Sequence, residues 1–221
     1  MVLSASLGVD SPTDQPNFAA GRFLTEISKR VETLMYGLLS GQVQWPTWRR
    51  MMEQEIRQGG RGIGVIAYNF KPLDYLTAPI VAEVTDAQVN YLNAWANAVK
   101  TQANNGTLSL AQMGAMNARA QMYVKSLQEI YTRIITLQLG IPRLPFYPKQ
   151  QTRCLTNCLC RWEFRQRKGV GNYDCYWVLG EAEHCPTCLA RADAARPLKV
   201  RGGVIQNIEK YLLPSLHYTG K

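Results

Sequence analysis

All six cysteines of this 221-residue chain lie between Cys154 and Cys188, and the 153 residues before them have none. They are spaced as CLTNCLC over 154–160, a single Cys175, and HCPTC over 184–188. A segment this short buries too little apolar surface to hold a fold unaided, so a cross-link must contribute. Three uses of the thiols compete: a metal knot, a disulfide framework, or redox chemistry.

Zinc takes four Cys or His ligands in a tetrahedron, usually as two short-spaced pairs brought together by the fold. Cys185 and Cys188 form one C-x2-C pair. The other is drawn from Cys154, Cys158 and Cys160, with His184 as a substitute that would have to reach round. The expected ligand set is therefore Cys154, Cys158, Cys160, Cys185 and Cys188 around a structural Zn2+, four of the five binding. An even cysteine count in a compact segment also suits disulfides. A redox pair at Cys185 and Cys188 is the third reading, but no strand–helix thioredoxin pattern surrounds it.

Between the cysteine pairs the sequence reads as a hairpin. Residues 161–165, RWEFR, alternate as a half-buried strand does. KGVGN (168–172) is turn chemistry, and YDCYWVL (173–179) is the return strand. Trp162 and Trp177 are expected in the core. Cys175 is in phase with Trp177, which predicts a buried apolar thiol rather than a ligand.

The remaining chain is dominated by helical periodicity. Residues 1–17 are small, polar and proline-containing, and are expected to form a flexible arm. Leu24, Ile27, Val31, Leu34 and Leu38 recur at helical spacing. A second helix starts at Pro46 and is expected to stop at Gly59. The run GGRGIG (59–64) lacks the Gly-Lys-Ser/Thr of a phosphate loop, so it predicts a mobile connector or close backbone packing. Residues 70–85 look irregular. Val89, Leu92, Ala96, Val99 and Ala103 then mark a third helix. Ser109 and Gln112 form a capping box for a fourth, whose 3-4-3-4 pattern runs from Met113 to Leu137. As one rod to Gly140 it would span roughly 46 Å at 1.5 Å per residue. The short loop before it predicts an antiparallel helix hairpin.

The expected architecture is mainly α: an arm (1–17), a helical domain (18–141) with that long hairpin, and a stiff Pro-rich linker (142–153). A Cys-rich β-hairpin or zinc-knuckle module (154–195) and a basic tail with a short helix (196–221) follow. The net charge is +9, and residues 151–221 carry 11 basic against 6 acidic side chains. That excess suits an acidic protein surface or nucleic acid. No run approaches the ~18 apolar residues of a membrane span, and no secretory signal is recognisable; a reducing compartment would favour metal over disulfide. No catalytic constellation is found. Glu181 and Glu183 are near enough in sequence to the knot to be considered as bases, but so many thiols favour a closed structural site. His217 reads as a surface residue.

Two stretches carry a resemblance: LPFYPKQQTRCLTNCLCRWEF (144–164) and YWVLGEAEHCPTC (176–188). They resemble the C-terminal module of Mu F-like head-morphogenesis proteins, minor head proteins of tailed phages. The Trp-containing helix 45–57, Gly59-Gly60, Tyr91-Leu92, NGTLS (105–109) and ARAQMY (118–123) are similar to the helical half of the same group. In that family a C-x2-C and an H-P-x-C-R-C element meet at what looks like a metal site. Cys185 and Cys188 match the first, and Cys158 and Cys160 match the cysteines of the second. Here the elements come in the opposite order, and Leu155 stands at the histidine position with Cys154 just before it. The resemblance implies a virion protein of the phage head, assembled in the host cytoplasm in multiple copies. It would contact portal or major capsid protein and assist head assembly, its basic C-terminal third facing packaged DNA. The competing expectation is a zinc-containing nucleic-acid-binding protein in which Arg161, Arg165, Arg167 and Lys168 contact phosphates while Trp162 and Phe164 stack on bases.

Overall fold

The computed structural model describes residues 14–104, 109–147, 160–180, 184–206 and 208–210. The chain is mainly helical, with a small antiparallel sheet. The helices are α1 (Asp14–Leu39), α2 (Trp45–Ala67), α3 (Thr77–Asn104), α4 (Leu110–Ser126) and α5 (Gln128–Gln138). Among the described residues no helix is long and apolar enough to cross a membrane.

These five helices pack as a bundle in which α1, α2 and α3 alternate in direction and α4 and α5 continue one another. Arg30 pairs with Glu55 while Phe23 lies against Gly62, and Arg57 pairs with Asp86 while Val81 lies against Gly64, so α1 runs antiparallel to α2 and α2 to α3. Arg133 meets Glu83, and the Tyr123 hydroxyl donates to the Tyr91 carbonyl. The last pair of helices therefore runs antiparallel to α3, as the expected hairpin requires. Gln121 donates to the Ser28 carbonyl, docking α4 on α1. Ile27, Trp48, Met52, Ile56, Ile63, Leu92, Leu127, Ile130 and Ile134 are wholly buried between these helices.

Four local expectations are revised. Helix α1 begins at Asp14, inside the expected arm; Pro16 lies in its first turn, where a missing N–H costs nothing. Helix α2 does not stop at Gly59 but continues to Ala67. A Cβ on Gly59 would lie 2.8 Å from Leu127 Cδ1 and 2.9 Å from Ile27 Cδ1, and one on Gly60 would overlap Thr85. Each mid-helix glycine costs about 1 kcal/mol of intrinsic propensity, offset by the close approach of the neighbouring helices. Residues 77–85 are helical rather than irregular. Asp74 Oδ1 accepts from the Leu76 and Thr77 N–H groups at 3.0 and 2.9 Å and caps α3. Finally, the expected single rod is two helices. At Leu127 the bonds tighten to i−3, Leu127 N–H to Val124 and Ile130 N–H to Leu127. The Ser126 hydroxyl donates to the Met122 carbonyl at 2.8 Å, a back-bond that bends helices.

The second unit has strands β1 (Arg161–Gln166), β2 (Tyr173–Val178), β3 (Leu198–Arg201) and β4 (Val204–Ile205), in that order across the sheet, with helix α6 (Pro186–Ala194) packed on β2. The expected hairpin forms with Trp162 opposite Trp177 and Phe164 opposite Cys175. Residues 198–205, expected as tail leading into a helix, form a second hairpin. Its Gly202-Gly203 turn has φ of 57° and 76°, which the strand twist favours and glycine adopts freely. The expected linker is not a spacer over 142–147: Leu144, Phe146 and Tyr147, with Ile141 before them, are buried in the sheet unit's core. Residues 148–159 lie outside the described residues, as do 1–13, Asn105-Gly106, Glu181, Glu183 and 211–221 with His217.

Candidate metal centre

The core of the second unit is built from aromatics and thiols. Cross-strand pairing puts the Trp162 and Trp177 rings 5.4 Å apart and nearly perpendicular. Phe146 stacks on Trp162 at 5.2 Å and meets Trp177 edge-on at 5.1 Å. The Trp162 indole N–H donates to the Phe146 carbonyl at 3.0 Å. That bond fixes the segment after α5 against the sheet.

Cys160, Cys185 and Cys188 belong to this same cluster. Cys160 is 4% exposed and leads into β1; Cys188 is wholly buried; Cys185 is half-buried. Cys185 is the N-cap of α6, with Pro186 at the first helical position. The Cys188 and Leu189 N–H groups both donate to the Cys185 carbonyl, at 2.9 and 3.2 Å. The C-x2-C pair therefore occupies the first turn of a helix, where the helix dipole favours thiolate.

Among the described residues, no three Cys, His, Asp or Glu side chains group closely enough to hold a metal by themselves. Cys154 and Cys158, the other two expected ligands, lie outside the described residues. No disulfide joins the four described cysteines to one another. His184 immediately precedes the N-cap and is half-exposed. Cys175 sits on β2, wholly buried opposite Phe164 and Leu198. Burial, helped by the Asp174 charge, pushes its thiol up to about 12, so it stays protonated and packs as an apolar side chain.

The Trp177 indole N–H is buried, and no acceptor among the described residues, the cysteine sulfurs included, takes its hydrogen; a buried N–H without an acceptor costs roughly 1–3 kcal/mol.

No protein-family model, curated protein or solved structure matches this chain. Its geometry and the motifs in its sequence are what bear on its function.

Three of the four basic side chains of β1 and its turn have partners within the fold while remaining exposed, and Lys168 is exposed in the turn. Arg161 pairs with Glu163 at 2.6 Å, and Arg165 lies 4.6 Å over the Tyr176 ring. Arg167 and Arg201 each reach the buried Asp174 at 2.7 Å. Burial alone would raise the Asp174 pKa, but the two guanidiniums outweigh it and hold the carboxyl below its ordinary value. Trp162, expected to stack on bases, is buried. A second charged group joins the bundle to the segment that enters the sheet unit. Glu83 accepts from Arg133 at 2.6 Å and Arg143 at 3.3 Å, and Arg133 also reaches Glu129 at 3.4 Å. Glu129 is 6% exposed; burial raises its pKa, partly countered by Arg133.

Proposed function

We propose that this chain is a structural component of a tailed-phage head, in which the helical bundle docks on portal or capsid protein and a zinc-stiffened sheet unit gives it a firm second body. The observation that carries the reading is where the resembling residues fall. Phe146, Tyr147, Cys160, Trp162, Trp177, Cys185 and Cys188 come from both resembling stretches, and all lie in or against one core. A motif spread over separate segments is expected to converge in this way when it specifies one module. In this reading Cys185 and Cys188 supply two ligands, and the other two come from Cys154, Cys158 and Cys160. The metal closes the small core and does no chemistry, since four thiolates leave no open coordination position.

The protein is then carried in virions, in multiple copies, with the basic C-terminal third facing packaged DNA. The test is to purify filled heads of the phage that encodes it, separate them from host protein on a density gradient, and quantify the chain by mass spectrometry. Enrichment with portal and major capsid protein supports the assignment; complete absence from the particles overturns it.

A further inference from the structure

We propose that the outward face of the four-stranded sheet is a phosphate-binding surface that holds the backbone of double-stranded DNA without reading its sequence. The choice of duplex DNA rests on the phage-head reading; the anion site itself rests on the geometry of the sheet. Register turns Trp162, Phe164, Cys175 and Leu198 toward the core. Their neighbours along each strand, Arg161, Arg165, Asp174, Tyr176, Lys199 and Arg201 among them, therefore face outward.

One carboxylate on this face gathers four cations. Asp174 stands between Arg165 on β1 and Lys199 on β3 in the register, and neighbouring strands lie about 4.8 Å apart. Arg167 Nε meets its Oδ2 and Arg201 Nη2 its Oδ1, each at 2.7 Å. The carboxylate is covered by these partners, while the Arg167 and Arg201 side chains stay 52% and 37% exposed and Arg165 and Lys199 are exposed. The other acid of the face, Glu163, is engaged by Arg161. Gathering like charges on one sheet face is unfavourable, and one carboxylate does not neutralise four cations. A seated anion would relieve the excess. Asp174 takes the Nε hydrogen of Arg167, which leaves donors on its Nη groups for that anion.

The same face gives a base nothing to stack on. Trp162 and Trp177 are buried, and Phe164 packs against the core. Tyr176 is half-buried, with the Arg165 guanidinium 4.6 Å over its ring. Single-strand binders rely on open aromatic faces. Cations beside covered rings contact phosphates and are indifferent to sequence. Duplex DNA offers them the dense row of charge, roughly one per 1.7 Å of axis.

The test measures binding of the full-length chain by fluorescence anisotropy over a range of KCl concentrations. The probes are duplexes of two unrelated sequences, their separated strands, and polyglutamate as an acidic-protein surrogate. Wild type is compared with the Arg165→Gln, Lys199→Gln double variant and with Lys29→Gln, which removes an exposed charge from α1. Both duplexes should bind alike and more tightly than single strands. Log affinity should fall against log salt with a slope of about −3 to −4 if roughly four phosphates are neutralised. The double variant should weaken binding and reduce the slope by about 2, with Lys29→Gln unchanged. No duplex binding at low salt, tighter binding of single strands, or a folded double variant with wild-type affinity and slope would overturn the proposal. Polyglutamate binding as tightly as duplex at equal charge concentration would assign the face to an acidic protein instead and overturn it too. Should the double variant fail to fold by circular dichroism, Lys199→Gln alone decides, with an expected slope change of about 1. A chain present in filled heads that does not bind DNA sinks this surface and leaves the head assignment standing; a DNA-binding chain absent from heads does the reverse.

Discussion

The helical bundle and the sheet unit bury side chains of different kinds. The bundle core is mostly aliphatic, with Ile27, Ile56, Ile63, Leu127 and Ile130 buried together across several helices, a run of ring contacts through Trp45, Trp48, Trp95 and Tyr123, and sulfur only as methionine. The sheet unit is smaller, and its core clusters five buried aromatics, Phe146, Tyr147, Trp162, Tyr173 and Trp177, and a few aliphatic side chains with cysteines. A bundle of five helices gains enough from burial and close approach to stand on its own. The smaller unit relies on directional contacts: stacked rings, an indole bond to a backbone carbonyl, a two-guanidinium grip on a carboxylate and, in the reading proposed here, a metal. The two should accordingly respond to different perturbations, global in one and local in the other.

The largest effect is expected from Gly60→Val. It drives a branched side chain into Thr85 and toward Ile130 and should cost about 3 kcal/mol by overpacking, read as a lowered urea midpoint for the bundle. Asp174→Asn should cost about 2 kcal/mol and loosen only the sheet unit, seen as faster hydrogen exchange across β2 and β3. Because the folded Asp174 pKa is depressed, its contribution is complete above the unfolded carboxylate range and fades as pH falls through the folded value. Wild type and variant should converge in strong acid. Glu129→Gln should behave oppositely. Its folded pKa is raised, so its stability contribution is complete below the unfolded value and is lost as pH rises through the folded one. Relative to wild type the variant should gain stability as pH rises from about 4 to 7, by paired denaturation curves. The smallest effect is a gain. Gly114 is exposed in α4, and a Cβ added there would meet nothing within 4 Å, so Gly114→Ala should add about 0.5–1 kcal/mol. If Gly60→Val and Gly114→Ala had similar effects, the packing role assigned to the α2 glycines would fall.

Local signals in the sequence led to the right local structures where neighbours in the chain decide them. The alternation around Trp162 and Trp177 marked the hairpin, and Ser109 with Gln112 forms the capping box that their spacing implies. The misreadings share a cause: distant residues overrode a local preference. Gly59 and Gly60 favour a helix end by themselves, yet Ile27, Thr85 and Leu127 need their bare backbone as a seat. The prolines of 142–148 look like a rod, but the apolar residues between them, Leu144, Phe146 and Tyr147, are what the sheet unit lacks. The Gly202-Gly203 hairpin had a usable signal, since Leu198 and Val200 alternate with Lys199 and Arg201. At the candidate metal centre, spacing pointed to Cys185 and Cys188. Strand alternation pointed to Trp162 and Trp177 beside them, and both are buried in the same cluster; the buried Phe146 was hidden because it lies among prolines that read as a linker.

The decisive measurement is metal content joined to hydrogen exchange on the full-length chain purified under reducing conditions. About one zinc per chain is expected. Stripping it with a chelator should abolish protection across 160–206 while 14–138 keeps its own. A metal-free protein whose sheet unit is fully protected, or whose cysteines are paired as disulfides, would refute the metal-closed core.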